Sequence, residues 1–358
     1  MKGLKGLKRQ VSPGAAAVLV VLVLAIVQWV WWRGLVWRPN GPTPPPHGPP
    51  PPPPFSEELV LKGRTDVAVD TVAGDLEPGE LDGPGYSARL DRPTGLAMDF
   101  AGQLYICDTG NHRIRLMKTD GAVSTFAGGE VGYGDGPSAA AKFNAPCGVC
   151  VGPDQAVYVA DTGNGKIRCI RAGNVTTVVN AKELISPTDV AFVSAPTSHL
   201  VVSDASNGTV VTFDLQGTLL SRVRRAGSPV LTSADTAGPS GPFAGQGRIA
   251  IDGSDSFSDA KTRPVLQQLA GWSRFGAGAV VTDAKFGAVF IRRGSSAQVI
   301  AGIVSSRRAL RDWHDGTGGT SFFSELTGVA TDGKRFVYIS DTGNNCVRRL
   351  TMPDDLLR

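Results

Sequence analysis

Residues 106–115 read Ile-Cys-Asp-Thr-Gly-Asn-His-Arg-Ile-Arg, and the same shape returns at 159–168 (VADTGNGKIR) and 339–348 (ISDTGNNCVR). In each case another Asp stands 26 residues before the turn Asp: Asp82 before Asp108, Asp135 before Asp161, Asp315 before Asp341. An apolar residue follows that first Asp by eight positions in all three (Leu90, Phe143, Phe323). Three equal spacings around one tetrapeptide are an internal repeat, and a repeat of this length is one supersecondary unit that needs neighbours to bury its faces.

The unit reads as short strands. Gly95–Asp99 is small and apolar, as a doubly buried inner strand should be, and Leu104–Asp108 is rich in β-formers. Asp-Thr-Gly-Asn is turn chemistry, since Gly tolerates positive φ and Asp and Asn bond local amides. Arg113–Met117 returns as a third strand and Val123–Ala127 as a fourth. Four antiparallel strands per unit describe a propeller blade, so the fold class is all-β, a β-propeller of four-stranded blades. Weaker units follow. Asp189–Val193, Leu200–Asp204, Thr209–Asp214 and Leu219–Arg224 make one, with Asp204-Ala-Ser-Asn207 at the turn. Arg248–Asp252 resembles another inner strand, with Ala279–Asp283, Ala288–Arg292 and Gln298–Ala301 as later strands. The interval from Asp204 to Asp283 is 79 residues, against 53 and 43 for the two before it. It holds either one blade with an insertion or two degraded blades, with Ser258–Thr262 as a second turn, so the count is five or six. The orphan strand Val69–Ala73 (VDTVA) matches VSTFA at 123–127 and is expected to complete the last blade.

The decapeptides at 106–115, 159–168 and 339–348 resemble the NHL repeat family over about residues 69–351. The resemblance implies a propeller that is often six-bladed, which favours six. It implies no single activity: many such propellers bind proteins or act as sensors, some bind RNA, and one relative is a zinc-dependent amidating lyase. The motif positions are Asp108, Asn111 and Arg115, Asp161, Asn164 and Arg168, and Asp341, Asn344 and Arg348. Val211 and Phe290 stand at the arginine position in the two weaker units. The recurrence of these residues once per unit favours a structural role, with Asp capping the turn and Arg tethering strands, because a catalytic group is normally unique.

The chain has 358 residues and a formal net charge of +4. Residues 1–56 hold six basic residues and no acidic one, so the remainder is slightly acidic and no nucleic-acid partner is expected. Behind a basic segment at 1–14, Ala15 to Trp32 is apolar except for Gln28. At 1.5 Å per residue it spans about 27 Å, close to the hydrocarbon core of a bilayer. Trp29, Trp31, Trp32 and Trp37 cluster at its end, as interfacial residues do. Residues 15–37 are therefore expected to be an uncleaved transmembrane signal anchor. The run ends in tryptophans without a small-residue cleavage site, unlike a signal peptide. The positive flank keeps the N-terminus cytoplasmic and places the propeller in an extracytoplasmic or lumenal space. Residues 38–56 are a proline-rich spacer, and residues 57–358 form the propeller.

No cofactor, metal or catalytic residue is expected. Of the four histidines (His47, His112, His199, His314) only His112 falls in a repeat motif, and zinc catalysis needs three protein ligands. Cys147 and Cys150 lack the partner pair of a four-thiolate site and lie on a strand, where i and i+3 do not meet. Asp99, Asp252 and Asp332 end inner strands and would line a channel in the enzyme alternative, a metal-dependent hydrolase or lyase. Asn174 and Asn207 fit the glycosylation acceptor pattern. The expected role is a membrane-tethered, non-catalytic binding, scaffold or sensor module with a protein partner on the loop face.

Overall fold

The computed structural model of the chain describes residues 61–194, 196–206, 208–224, 246–247, 269–275, 278–284, 287–293, 296–304 and 315–357. The basic segment, the apolar span and the proline tract lie outside these residues, as do Arg248–Asp252, Ser258–Thr262, Asn207, His47 and His314. Among the described residues no helix is long and apolar enough to cross a membrane.

Five antiparallel sheets make five blades among the described residues. Blade 1 runs outward through Pro93–Met98, Leu104–Asp108, Arg113–Met117 and Ala122–Gly128. Blade 2 uses Pro146–Val151, Val157–Asp161, Lys166–Arg171 and Asn174–Val179. Blade 3 uses Pro187–Val193, His199–Asp204, Thr209–Asp214 and Leu219–Arg224. Blade 4 uses Leu269–Phe275, Gly278–Asp283, Ala288–Arg293 and Ser296–Ala301. Blade 5 uses Leu326–Thr331, Phe336–Asp341, Cys346–Thr351 and Ala68–Gly74.

The count corrects the six blades favoured from the family resemblance. Leu269–Phe275, not Arg248–Asp252, pairs with Gly278–Asp283 as the inner strand of blade 4. Among the described residues the 79-residue interval therefore holds one blade. The segment LAGWSRF carries Ser273 and Arg274 where blade 1 has Ala97 and Met98, so it lacks the small apolar run of that inner strand, which disguises it.

Ala68–Gly74 lies along Cys346–Thr351, with Val69 opposite Leu350 and Thr71 opposite Arg348. The first strand of the body thus completes the last blade and covers its edge. Neighbouring blades bury one apolar cluster at each of four junctions. Val149, Val157 and Val159 meet Tyr105, Cys107 and Ile114 between blades 1 and 2. Tyr158, Ile167 and Val179 meet Val190, Leu200 and Phe213 between blades 2 and 3. Val280, Val289 and Ile291 meet Val329, Val337 and Ile339 between blades 4 and 5. Ala330 and Val347 meet Leu96 and Ile106 between blades 5 and 1. The inner strands crowd at the axis. A Cβ on Gly95 would stand 2.3 Å from the Cys147 carbonyl oxygen, and one on Gly328 would stand 2.1 Å from that of Thr94. Only glycine permits that approach.

Deleting residues 69–73 should leave Cys346–Thr351 as a bare edge and abolish cooperative thermal unfolding. Leu350→Ala, which truncates a side chain with no solvent exposure, should cost about 2–5 kcal/mol in urea unfolding. An unchanged melting transition in the deletion would show that the ring closes elsewhere.

Candidate functional site

The repeated motif residues of blades 1, 2 and 5 converge on three buried polar locks. Arg115, Arg168 and Arg348 are fully buried, as are Asp108, Asp161 and Asp341. In blade 1 the Arg115 guanidinium lies 3.0 Å from Asp108 Oδ2 and 2.6 Å from Asp82 Oδ1. It also donates to the carbonyls of Arg89 and Leu81, both at 2.8 Å. Arg168 repeats this with Asp161 at 2.7 Å, Asp135 at 2.6 Å and the carbonyls of Lys142 and Gly134. Arg348 repeats it with Asp341 at 3.1 Å and Asp315 at 2.6 Å.

The aspartates do not cap their own turns. The 3-10 turns after Asp161 and Asp341 carry no side-chain cap bond. Instead Oδ1 accepts a backbone N–H 17 residues earlier, from Asp91, Asn144 or Ser324, at 2.7, 2.8 and 2.7 Å. Oδ2 accepts from Asn111, Asn164 or Asn344 and from the arginine. The carboxylate ends a strand, so it points back under the preceding loop rather than over the turn. Sequence reasoning also missed the second carboxylate. Asp82 accepts from Thr125 N and Oγ1, Asp135 from Thr177, and Asp315 from Thr71. The threonine stands opposite the arginine on the outer strand in each blade. The fixed spacing from the first Asp to the motif was the available signal.

The motif threonines tie blades together. Thr109 donates to the Pro146 carbonyl at 2.7 Å, Thr162 to Pro187 at 2.6 Å and Thr342 to Pro93 at 2.6 Å. The next turn position does the same in two places. His112 Nδ1 accepts from Ala145 N at 3.0 Å, and Asn345 Oδ1 accepts from Arg92 N at 2.9 Å. His112 is thus an inter-blade tether. His199 lies on blade 3, with its Nδ1 2.7 Å from the Thr197 carbonyl.

The remaining candidates stand apart. Asp99 accepts from Gln103 N, and Asp332 accepts from the amides of 334, 335 and 336, so both close hairpin turns. Asp252 lies outside the described residues. None of the five cysteines is in a disulfide, and burial pushes the Cys150 thiol well above its ordinary value. Asn174 is exposed at the start of an outer strand. Among the described residues no group of three His, Cys, Asp or Glu side chains could hold a metal ion.

Such an arrangement defines a repeat propeller whose blades are locked by one buried cation between two carboxylates. The NHL repeat matches residues 90–115 and 143–170, which belong to blades 1 and 2. The chain is 35% identical to mouse (Mus musculus) Teneurin-3 over 117 residues, 28% of this chain and 4% of that protein. It is 34% identical to NHL repeat-containing protein 2 of Bos taurus over 110 residues, 28% of this chain and 15% of that protein. The chain therefore spans a small part of the length of either relative. A Bacteroides thetaiotaomicron protein of unknown function superposes with a TM-score of 0.45 at 15% identity, over 80% of this chain and 76% of that one.

Removing one member of a lock leaves a buried charge. Arg168→Met should cost about 3–5 kcal/mol in denaturant unfolding, and adding Asp161→Asn should recover part of that. Burial raises all three turn aspartates despite their donors, and Asp341 is pushed up to about 6 from 3.8. A raised folded-state value stabilises fully below the unfolded value and loses that contribution as pH rises through about 6. Between pH 7.5 and pH 4.5, wild type should therefore gain about 1–3 kcal/mol relative to Asp341→Asn. A pH-independent difference in urea unfolding would refute the shift.

Proposed function

We propose that this chain is a membrane-tethered NHL propeller that serves as a binding or scaffold module for protein partners outside the cytoplasm. The observation that carries the reading is where most of the exposed large apolar side chains lie. Leu76 (50% exposed), Leu81 (61%), Tyr86 (80%), Val131 (58%), Tyr133 (51%) and Ile185 (56%) fall on the described links that lead from one blade to the next, while Phe100 stands at the opposite end and Leu219, Leu220 and Val223 on the edge of blade 3. The motif turns sit at that same end of the blades, since the Asp-Thr-Gly-Asn threonines reach the first residues of the following inner strands. Large apolar side chains gathered on one end of a rigid scaffold suit a protein partner. Apart from the buried Nε of Arg115, the polar groups that recur in the motif are spent mostly on one another and on backbone, which suits a scaffold. The apolar run at 15–37 and its positive flank support the tether and its orientation.

Two experiments test the reading. Protease added to sealed, right-side-out vesicles should digest the propeller, and digestion only after the cytoplasmic face is opened would refute the orientation. The combined substitutions Leu76→Asp, Leu81→Asp, Val131→Asp and Ile185→Asp should leave stability nearly unchanged, since each side chain is exposed. They should remove specific partners from a proximity-labelling profile of the membrane-bound chain. A variant that keeps every partner of the wild type would overturn the assignment of the linker face.

A further inference from the structure

The outer edges of the blades are not treated alike. In blades 1, 2 and 5 a two-residue segment adds a fifth strand outside the fourth: Gly83–Pro84 on Val123 and Ala122, Gly136–Pro137 on Val175 and Asn174, Gly316–Thr317 on Val69 and Ala68. The residue before each is the second lock carboxylate, Asp82, Asp135 or Asp315. It bonds the outer-strand threonine and pairs with the buried arginine. The glycine has φ of +147°, +125° or +148°, which side chains other than glycine rarely adopt. An Asp-Gly segment is therefore this fold's own device for covering a blade edge.

Among the described residues blade 3 lacks the cover, and the extra strand of blade 4, Gln246–Gly247, pairs with its inner strand Leu269–Phe275 instead. The sheet of blade 3 ends at Leu219–Arg224, whose six residues are all exposed. The cross-strand pair that is Arg115 with Thr125 in blade 1 is here Val211 with Arg222. The guanidinium has moved one strand outward, onto the open edge. Arg222 and Arg224, with Ser206 and Thr209, line a cleft of about 380 Å³. Among the described residues neither arginine has a carboxylate partner. Leu219, Leu220 and Val223 are 42%, 54% and 51% exposed beside them.

We propose that the edge of blade 3 docks an extended acidic segment of a partner protein, of Asp-Gly type, which adds as an outer strand and sets its carboxylate on Arg222. The chemistry is the cover of blades 1, 2 and 5 supplied from another chain. Backbone pairing along the edge gives affinity, while the Arg222 and Arg224 charges select an acidic side chain and the turn selects glycine after it. The cleft opens at the same end of blade 3 as the linker face, since Ile185 and Ser206 both bond Asp204, but Arg222 and Arg224 are not among the apolar side chains of that face, so Arg222→Glu and the four linker substitutions test the two assignments apart.

The probe is a fluorescein-labelled peptide of this chain's own residues 80–88 (ELDGPGYSA), titrated onto the full chain by fluorescence anisotropy. The expected result is saturable binding that weakens with salt and falls at least about tenfold in Arg222→Glu, about 1.4 kcal/mol. The same loss is expected for peptides with Asp→Asn or with the following Gly→Val. Arg222 is exposed, so an unchanged melting curve should accompany the variant. If Arg224→Glu is needed in its place, the peptide variants still read the same contact. No saturable binding at millimolar peptide, or equal binding by Arg222→Glu and by the Asn peptide, would overturn the proposal. Binding that appears only after deletion of residues 225–245 would assign the edge to this chain's own following segment. Reversible dimerisation in sedimentation that Arg222→Glu abolishes would assign it to a second copy. Either result would overturn the proposal as well.

Discussion

A guanidinium without access to water, held between two carboxylates, connects more of this molecule than any other single group. Arg115 lies on the third strand of blade 1, yet it reaches the second strand through Asp108, the link before the blade through the Arg89 and Leu81 carbonyls, and the covering segment through Asp82. Asp82 carries the contact on to the outer strand at Thr125. Moving such a group out of water is expensive, and although both terminal nitrogens of Arg115 are engaged, its Nε is buried without a partner, so the ion pairs return that cost only in part. The lock therefore rewards one arrangement of five backbone segments and penalises the others. Its value lies in specifying the blade, which the raised Asp341 agrees with: burial outweighs the pull of Arg348 even in a closed pair.

The same economy governs the joints between blades. A strand that ends in Asp for the lock continues as Thr for the neighbour, whose Pro146, Pro187 or Pro93 carbonyl takes the hydroxyl. Proline at the start of the inner strand has no N–H to satisfy, and its carbonyl is left for that bond. Two residues after Pro93 and Pro146, and at the same strand position in blade 5, Gly95, Gly148 and Gly328 let the neighbouring backbone approach closely enough for the apolar clusters on either side to close. One tetrapeptide thus serves the inside of its own blade with Asp and Asn and the outside with Thr. That explains why the spacing around it is kept to the residue in three units.

The blade, its strands and the closing strand were legible because each follows from local pattern: small apolar inner strands, turn tetrapeptides and a repeated VSTFA-like outer strand. The lock was half legible. Asp108, Asn111 and Arg115 stand out by recurrence, but their partners Asp82 and Thr125 belong to segments 33 and 43 residues distant from Arg115 and Asp82 respectively, and no periodicity reports a contact across a link. The turn-capping role read for the aspartates followed their local chemistry, whereas burial under the preceding loop decided otherwise. Blade 4 was misread at its inner strand because Ser273 and Arg274 interrupt the small apolar run that marks the inner strand of blade 1.

Blade 3 shows what happens when one member of the lock is exchanged. With Val211 in place of the arginine, a covering carboxylate has no cation beneath it, and the link into the blade need carry no cover. That link is residues 180–186, seven residues between Asn174–Val179 and Pro187–Val193. The links into blades 1 and 2, residues 75–92 and 129–145, carry the Asp-Gly segments. Other positions of blade 3 change with it. Ala205 replaces the motif threonine, so the hydroxyl bond to the next inner strand is lost. Asp189 stands where Gly95, Gly148 and Gly328 stand, placing a buried carboxylate where the other inner strands have no side chain. The buried Asp204 consequently takes the amides of Ile185, Ser186 and Ser206 in place of a guanidinium. These changes have a single cause: the loss of one cation releases the cover, and releasing the cover leaves a strand edge and two arginines facing solvent, where blades 1, 2 and 5 hide the corresponding edge.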